Sequence, residues 1–150
     1  MNKAIYFDMD GTIANLYGDK NWLAKLQDEN ETVYANANVL INMNTLAKYL
    51  NKLQKLGYTI GVVSWLAKNG TKNYNEKVAK VKKQWLKKHL KTVKFNEIKI
   101  VEYGTPKYTV VENQNGILFD DEKQNRQAWK GQAYDEKNIL EILKNLVKNA

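Results

Sequence analysis

Residues 3–12, KAIYFDMDGT, place an apolar run directly before two acidic side chains and a glycine. The run from Lys3 to Phe7 is short and bulky, which predicts a buried β-strand that ends at Asp8. Gly11 breaks the pattern, and we expect a loop there. Two carboxyl groups, those of Asp8 and Asp10, therefore follow the carboxyl end of a predicted strand.

Strands and helices alternate along the rest of the chain. Apolar residues at helical spacing between Val39 and Leu56 predict a helix, which Gly57 is suited to end. Similar patterns predict strands at 58–64, 97–103, 116–119 and 132–134, and helices at 75–90 and 136–147. This alternation favours a three-layer α/β fold, with a central parallel sheet flanked by helices. Ligands bind such sheets beyond the carboxyl ends of the strands.

The length of 150 residues favours a single domain, residues 1–150. A polar and mixed segment at about residues 15–38 predicts a small insertion, partly helical, between the first strand and the first long helix. Neither a transmembrane segment nor a signal peptide is apparent, so we expect a soluble, cytoplasmic protein.

The composition limits the chemistry that the chain can perform. It contains no cysteine and one histidine, His89, which excludes disulfides, thiolate zinc sites and a thiol nucleophile. A nucleophile paired with histidine and a zinc site built from several histidines are nearly excluded too. Reactions must therefore depend on carboxylates, hydroxyls, amides and lysines.

More polar side chains lie at or near the ends of the later predicted strands. Ser64 closes the second strand, Lys107 follows the third, and Asp120 and Asp121 close the fourth. Carboxylates brought this close together need a bound cation or raised pKa values. Carboxylate oxygens without histidine or cysteine suit Mg²⁺, which in turn favours a phosphate ligand.

These motifs, taken in order, resemble the haloacid dehalogenase (HAD) superfamily of phosphatases. The resemblance covers about Lys3 to Asp121 and rests on DMDGT, a strand ending in serine, a lysine, and a strand ending in DD. It implies a Rossmann-like fold and Mg²⁺-dependent hydrolysis of phosphomonoesters through an aspartyl-phosphate. A looser similarity to 5'(3')-deoxyribonucleotidases and their phage relatives points to a (deoxy)nucleotide or a nucleic-acid end as the substrate.

The resemblance also implies catalytic roles. Asp8 would be the nucleophile, and Asp10 the general acid and then the general base. Ser64 would hydrogen-bond a phosphoryl oxygen, and Lys107 would neutralise charge on the phosphate and on Asp8. Two other lysines compete with Lys107 for this role, Lys68 and Lys72.

Metal and substrate contacts follow from the same resemblance. The implied Mg²⁺ ligands are Asp8, the backbone carbonyl of Asp10, Asp120, and Asp121 through water; alternatively, Asp121 is a helix N-cap. The implied substrate contacts are Gly11, Thr12 and Trp65. Gly11 is alternatively a turn residue, Thr12 an N-cap, and Trp65 a packed aromatic rather than a ring that stacks on a base.

The cap that selects substrates in this family is expected to be minimal, because the first spare segment, Asn15 to Asn38, has 24 residues. An open cleft then admits a large substrate, or a neighbouring subunit closes it in a homo-oligomer.

The net charge of +8 is concentrated in residues 68–99, which hold 11 lysines and two glutamates. On the helix predicted there, Val78, Val81, Trp85 and Leu86 face inward and the lysines outward. The lysines are either a solvated face or a contact to nucleic-acid phosphates. A nucleic-acid-binding protein on a HAD scaffold is therefore the alternative function, using Lys80, Lys83, Lys87 and Lys91. A longer stripe, extending to Lys94, would require the helix to continue past residue 90.

Overall fold

The computed structural model describes residues 3–150. Its strands in chain order are β1 (Ala4–Phe7), β2 (Ala14–Asn15), β3 (Asn38–Val39), β4 (Thr59–Trp65), β5 (Glu97–Val101), β6 (Ile117–Phe119) and β7 (Ala133–Tyr134). Five of them form one parallel sheet in the order β5-β4-β1-β6-β7. The two short strands β2 and β3 pair antiparallel in a separate ribbon. The predicted α/β fold with a central parallel sheet is confirmed.

The helices alternate with these strands as expected. They are α1 (Trp22–Gln27), α2 (Thr32–Ala35), α3 (Met43–Lys55), α4 (Lys72–His89), α5 (Lys123–Ala128) and α6 (Ile139–Lys148). Short 3₁₀ helices occur at Leu16–Gly18, Lys107–Thr109 and Glu136–Asn138.

The boundaries of the three long helices differ from the prediction by one to four residues. Helix α3 begins at Met43 rather than near Val39, because the side chain of Asn42 accepts a hydrogen bond from the Thr45 amide and caps the helix there. Helix α4 ends at His89, so the lysine stripe does not continue along it to Lys94.

Alternating residues of the central strands supply two cores, one on each face of the sheet. Ile5 and Phe7 point to the face that is covered by α3, α4 and α6. Tyr6 and Leu118 point to the other face, which Trp129 and the chain near Val111 cover. Helical and irregular layers on both sides bury the sheet, as a parallel sheet requires.

The register of the sheet brings the ends of its strands to one edge. Phe7 of β1 pairs with Val62 of β4 and with Phe119 of β6. The Asp8 amide continues the pairing by donating to the Phe119 carbonyl at 2.9 Å. The residues that follow β1 and β6 are therefore neighbours in space.

The segment predicted as a small insertion, at about residues 15–38, runs from β2 to β3 and carries the short helices α1 and α2. That it is an insertion stays a prediction. Its buried residues Leu16, Val33 and Tyr34 pack against Tyr74 and Val78 of α4, in a cluster separate from the two sheet cores. The insertion therefore rests on α4 rather than on the sheet. Within residues 3–150, no helix combines the length and apolarity needed to cross a membrane.

Candidate active site

Three carboxyl groups meet at the ends of β1 and β6. Asp8 and Asp120 are buried, and Asp121 is half-buried. Carboxylate oxygens of the three residues lie within 4.8 Å of one another. The sequence places these groups together because β1 and β6 are adjacent parallel strands that end at the same edge.

A buried lysine lies between two of these carboxylates. Lys107 Nζ donates to Asp8 Oδ1 at 2.9 Å and to Asp120 Oδ2 at 2.6 Å, and the residue is 5% exposed. The competing candidates, Lys68 and Lys72, are exposed. Lys107 is therefore the one of the three candidate lysines that the structure places against Asp8.

The cluster holds more negative charge than its lysine balances. Burial, together with the charge of Asp8, raises the pKa of Asp120 to about 6 and that of Asp121 to about 8. Burial disfavours the ammonium of Lys107, but the carboxylates of Asp8 and Asp120 outweigh it and raise the pKa of Lys107. Both raised carboxyl pKa values indicate that the site favours an additional cation.

The donors in this cluster suit a small, hard metal ion. Asp8, Asp120 and Asp121 offer oxygens alone, and the 4.8 Å spacing is one that a single cation spans. Among the described residues, the carboxylate of Asp10 does not join this group. It is bonded instead to Lys82, so the backbone carbonyl of Asp10 remains its predicted contribution to Mg²⁺ binding.

Gly11 allows the loop after β1 to approach Asp121. Its φ of +82° is strained for other residues, and a Cβ added there would collide with the Asp121 carboxyl group. The Gly11 amide donates to the Ala14 carbonyl at 2.8 Å, so this N–H is used in a hydrogen bond within the turn. The predicted contact between Gly11 and substrate stays a prediction.

Thr12 holds two of the carboxylates. Its buried Oγ1 lies 3.1 Å from Asp8 Oδ2 and 3.2 Å from Asp121 Oδ1, and it accepts a hydrogen bond from the Asp121 amide. One hydroxyl hydrogen serves one carboxylate at a time. The alternative of Thr12 as a helix N-cap is wrong, because the short strand β2 follows it at Ala14.

The alternative interpretation of Asp121 as an N-cap is also wrong. Helix α5 begins at Lys123, and its capping position is Glu122. The Glu122 amide donates to Asp120 Oδ1 at 2.9 Å, so the side chain of Asp120 satisfies the start of this helix. Asp121 remains directed at Asp8 and Thr12.

A second buried lysine, Lys82, was missed by the sequence analysis. Its Nζ donates to Asp10 Oδ2 at 2.7 Å, to Ser64 Oγ at 2.9 Å and to the Trp65 carbonyl at 2.7 Å. The ring of Tyr34 lies 4.9 Å from the same nitrogen. The lysine is 1% exposed and Ser64 is fully buried, so this contact lies inside the protein.

The prediction that every lysine of this helix faces outward is therefore wrong for Lys82. The signal was present in the spacing: Lys82 lies four residues after Val78 and four before Leu86, both of which are buried. These positions share one face of an α-helix. A lysine on the apolar face of a helix needs a buried partner, which here is Asp10.

A cavity of about 710 Å³ opens over Asp8 and Asp10. Five aromatic residues line it, most of them from the insertion and from the ends of β4 and β5: Tyr17, Trp22, Tyr34, Trp65 and Tyr103. They include two contacting pairs, Tyr17 with Trp22 and Trp65 with Tyr103, each with ring centroids 4.9 Å apart.

Trp65 connects this aromatic lining to the acid cluster. Its Nε1 donates to the Thr105 carbonyl at 2.8 Å, which fixes the ring. Lys107 Nζ lies 5.2 Å from the ring centroid. Trp65 is therefore partly a packed aromatic and partly a wall of the cavity beside Asp8.

A scan of family models and a search of curated proteins both found no match. Among solved structures, the chain is similar to the crystal structure of D,D-heptose 1,7-bisphosphate phosphatase from Burkholderia thailandensis. The TM-score is 0.57 at 10% sequence identity, over 97% of this chain and 99% of that chain. At this identity the likeness concerns the fold, and the similarity to nucleotidases stays a prediction. The chain therefore has a small Rossmann-like fold in common with that phosphatase, as the resemblance to the HAD superfamily implies.

Proposed function

We propose that this protein is a Mg²⁺-dependent phosphatase that hydrolyses phosphomonoesters through a phosphorylated Asp8. The observation that carries the proposal is the position of Asp8 at the cavity, in contact with Lys107 and close to the carboxylates of Asp120 and Asp121. Asp10 also lines the cavity. A carboxylate nucleophile is already ionised at neutral pH and needs no histidine to activate it.

The first step transfers the phosphoryl group to Asp8. A carboxylate oxygen of Asp8 forms a bond to phosphorus while the bond to the leaving oxygen breaks. The leaving oxygen keeps the electron pair and takes a proton from Asp10. Burial raises the pKa of Asp10, although Lys82 opposes this shift, and a raised pKa favours the protonated form that this step needs.

The second step hydrolyses the aspartyl-phosphate. A water oxygen bonds to phosphorus and gives its proton to the Asp10 carboxylate. The bond from phosphorus to the Asp8 oxygen breaks, and its electron pair returns to Asp8. Inorganic phosphate leaves, with Asp8 ionised and Asp10 protonated as at the start.

Charge on the phosphoryl oxygens is balanced by the groups around Asp8. Lys107 is held in place by Asp8 and Asp120 before substrate arrives, and such preorganised charge stabilises a transition state effectively. Mg²⁺ held by Asp8, Asp120 and Asp121 would supply further positive charge to the same oxygens.

The substrate class that we propose is a (deoxy)nucleotide or a phosphorylated nucleic-acid end. The aromatic lining supports this choice, because bases stack on aromatic rings. Tyr103 is 52% exposed and contacts Trp65 beside Lys107, so a base could lie on these rings while its phosphate reaches Asp8. A volume of about 710 Å³ is within the range of small-molecule sites.

A phosphatase screen with and without Mg²⁺ tests the proposal. The panel contains nucleoside 5'- and 3'-monophosphates, 3'-phosphorylated oligonucleotides, sugar phosphates and p-nitrophenyl phosphate. We expect Mg²⁺-dependent turnover that favours nucleotides and that Asp8→Asn abolishes, with the exposed Asp28→Asn as the matched control. Undiminished turnover by Asp8→Asn would overturn the assigned nucleophile, and a preference for sugar phosphates would overturn the substrate class.

A second candidate function is nucleic-acid binding by the outward face of α4. One observation favours it: the four lysines selected for this contact are all exposed, Lys80, Lys83, Lys87 and Lys91. The first three lie on α4 and the fourth follows its end. Among the described residues, the ion pairs with Asp8, Asp10 and Asp120 come from Lys82 and Lys107 and from none of these four lysines.

A further inference from the structure

Lys82 is a fully bonded charge in the interior of the protein. Its three ammonium hydrogens are matched by three acceptors, one each on Asp10, Ser64 and Trp65. A buried charge is tolerated when it is paired and hydrogen-bonded in this way. Of these partners, Asp10 is the acid and base of the proposed reaction, and Ser64 is predicted from the sequence to hydrogen-bond a phosphoryl oxygen.

We propose that Lys82 is a positioning residue that fixes Asp10 and Ser64 for phosphoryl transfer. The inference rests on the proposed phosphatase function. It assigns to Lys82 a task that Lys107 does not perform, since Lys107 binds Asp8 and Asp120 and lies in a different part of the chain.

The effect on Asp10 follows from the atoms involved. Lys82 donates to Asp10 Oδ2 whether that carboxyl group is ionised or protonated, so proton exchange with the leaving group and with water falls to Oδ1. The Asp10 side chain is 18% exposed while that of Lys82 is 1% exposed. A rigid, buried lysine therefore sets the rotation of a carboxyl group that remains accessible from the cavity.

The effect on Ser64 concerns its hydroxyl hydrogen. Ser64 Oγ accepts a hydrogen bond from Lys82, and a hydroxyl that accepts in this way keeps its own hydrogen to donate. The predicted hydrogen bond from Ser64 to a phosphoryl oxygen requires this orientation. One ammonium thus orients an acid and a donor, on the loop after β1 and on β4.

Stability alone does not require a lysine at this position. Val78 and Leu86, on the same face of α4, are buried and apolar, and apolar residues that replace both members of a buried ion pair often do so without loss of stability. A test must therefore report on the reaction and not on folding alone.

The test compares two leaving groups in a Lys82→Met variant. A nucleoside monophosphate has an alkoxide leaving group that needs a proton, so we expect kcat to fall about 100-fold, the usual lower limit for general acid catalysis. The leaving group of p-nitrophenyl phosphate needs no proton, so Asp8 is still phosphorylated. Hydrolysis of the aspartyl-phosphate, which needs Asp10 as base, then becomes slow. We expect a burst of about one nitrophenolate per active site, which the wild type does not show.

Two further variants identify the route of the effect. Asp10→Asn should reproduce the loss on nucleotides and the burst, and the double variant with Lys82→Met should be no worse than Asp10→Asn, because both changes act on one group. Lys88→Met, an exposed lysine on the same helix, is the matched control and should keep wild-type kinetics with both substrates.

The outcomes separate the two proposals. Loss of wild-type turnover on every phosphomonoester would overturn the phosphatase function and the inference with it. Wild-type turnover combined with an equal loss of kcat/KM on both substrates in Lys82→Met, and no burst, would overturn only the positioning role. The ratio of kcat/KM between the substrates reports the phosphorylation step and, measured on one sample, does not depend on the folded fraction. If Lys82→Met does not fold, Lys82→Arg keeps the charge but not the three-contact geometry, and an unchanged ratio of kcat/KM without a burst would overturn the role.

Discussion

The two buried lysines, Lys107 and Lys82, bind carboxylates that stand two residues apart in the loop after β1. Lys107 lies between two carboxylates, those of Asp8 and Asp120. Lys82 binds one carboxylate, that of Asp10, and two uncharged oxygens. Both are almost completely buried, so the difference lies in the charge of their neighbours rather than in their exposure.

This difference separates two uses of a buried ammonium. Beside Lys107 a third carboxylate, Asp121, adds to the negative charge, and the lysine balances a surplus. Among residues 3–150, Lys82 is bonded to the single carboxylate of Asp10, and it connects α4 to the loop after β1 and to the end of β4. Removing charge should therefore matter more at Lys107, and changing geometry should matter more at Lys82.

The largest effect is expected from Lys107→Met. It leaves the carboxylates of Asp8 and Asp120 buried without their cation, which should cost about 3–5 kcal/mol of unfolding free energy in metal-free buffer. Activity should fall at least about 100-fold, because a preorganised charge on the phosphoryl group is lost. Urea unfolding with EDTA and with Mg²⁺ measures the stability, and Mg²⁺ should stabilise this variant more than the wild type.

Lys82→Met sharpens the contrast in the same unfolding assay. Asp10 remains partly accessible to water, so we expect a smaller loss, about 1–3 kcal/mol, with no greater stabilisation by Mg²⁺ than in the wild type. Equal losses and equal responses to Mg²⁺ in the two variants would contradict the distinction between the two lysines.

An effect of intermediate size is expected when pH changes the free energy of unfolding in metal-free buffer. Aspartate side chains in unfolded chains have a pKa near 3.9. In the folded protein, burial and the charge of Asp8 raise the pKa of Asp120 to about 6 and that of Asp121 to about 8. Between these limits the folded state binds more protons than the unfolded state. These two groups therefore make stability fall as pH rises from about 4 to about 8. Urea unfolding at pH 5 and at pH 8 measures the fall.

Asp121→Asn is the variant that checks this assignment, since it removes the group with the more strongly raised pKa. The fall in stability between pH 5 and pH 8 should shrink in the variant. An identical fall in both proteins would show that other groups cause it. In the part of the chain that the structure describes, the clustered carboxylates of Asp8, Asp120 and Asp121 lie beside Lys107, so this titration belongs to the Lys107 side of the comparison.

The smallest effect concerns nucleic-acid binding by the four exposed lysines Lys80, Lys83, Lys87 and Lys91. Unlike Lys82 and Lys107, these side chains lie at the surface. If they bind nucleic acid, replacing all four by glutamine should weaken binding and lower the slope of log K against log salt concentration by about 0.9 per lost DNA phosphate contact. A matched control removes the same charge from exposed positions elsewhere, Lys48, Lys52, Lys55 and Lys144. Equal weakening by both quadruple variants would indicate a general charge effect and contradict a specific contact.

The fold could be predicted from the alternation of strand and helix patterns. Part of the site could be predicted because its acidic residues directly follow predicted strands. The parallel arrangement was evident from alternating patterns, and adjacent strands that end together necessarily bring Asp8 and Asp120 into contact. Lys107 could be ranked above Lys68 and Lys72 from its position before the fourth strand, but its two ion pairs could not be deduced from spacing.

Other parts of the site could not be predicted because they depend on packing. The spacing of Lys82 placed it on the apolar face of its helix, but its partners Asp10 and Ser64 could not be deduced from a segment in which 11 lysines suggest a solvated face. Thr12 was weighed as a cap or a substrate contact, whereas the structure uses its hydroxyl to hold carboxylates. Both cases involve a polar side chain whose partner comes from a distant part of the sequence.

The insertion between β2 and β3 has a consequence for how substrate range can evolve. Trp22 and Leu23 line the cavity, while the buried residues of the insertion pack on α4 and outside the two cores of the sheet that carries Asp8 and Asp120. Substitutions in this wall can therefore accumulate under selection for new substrates without disturbing the chemistry. Tyr34 is the exception, because its ring lies against Lys82, and we expect it to be the least substitutable position of the wall.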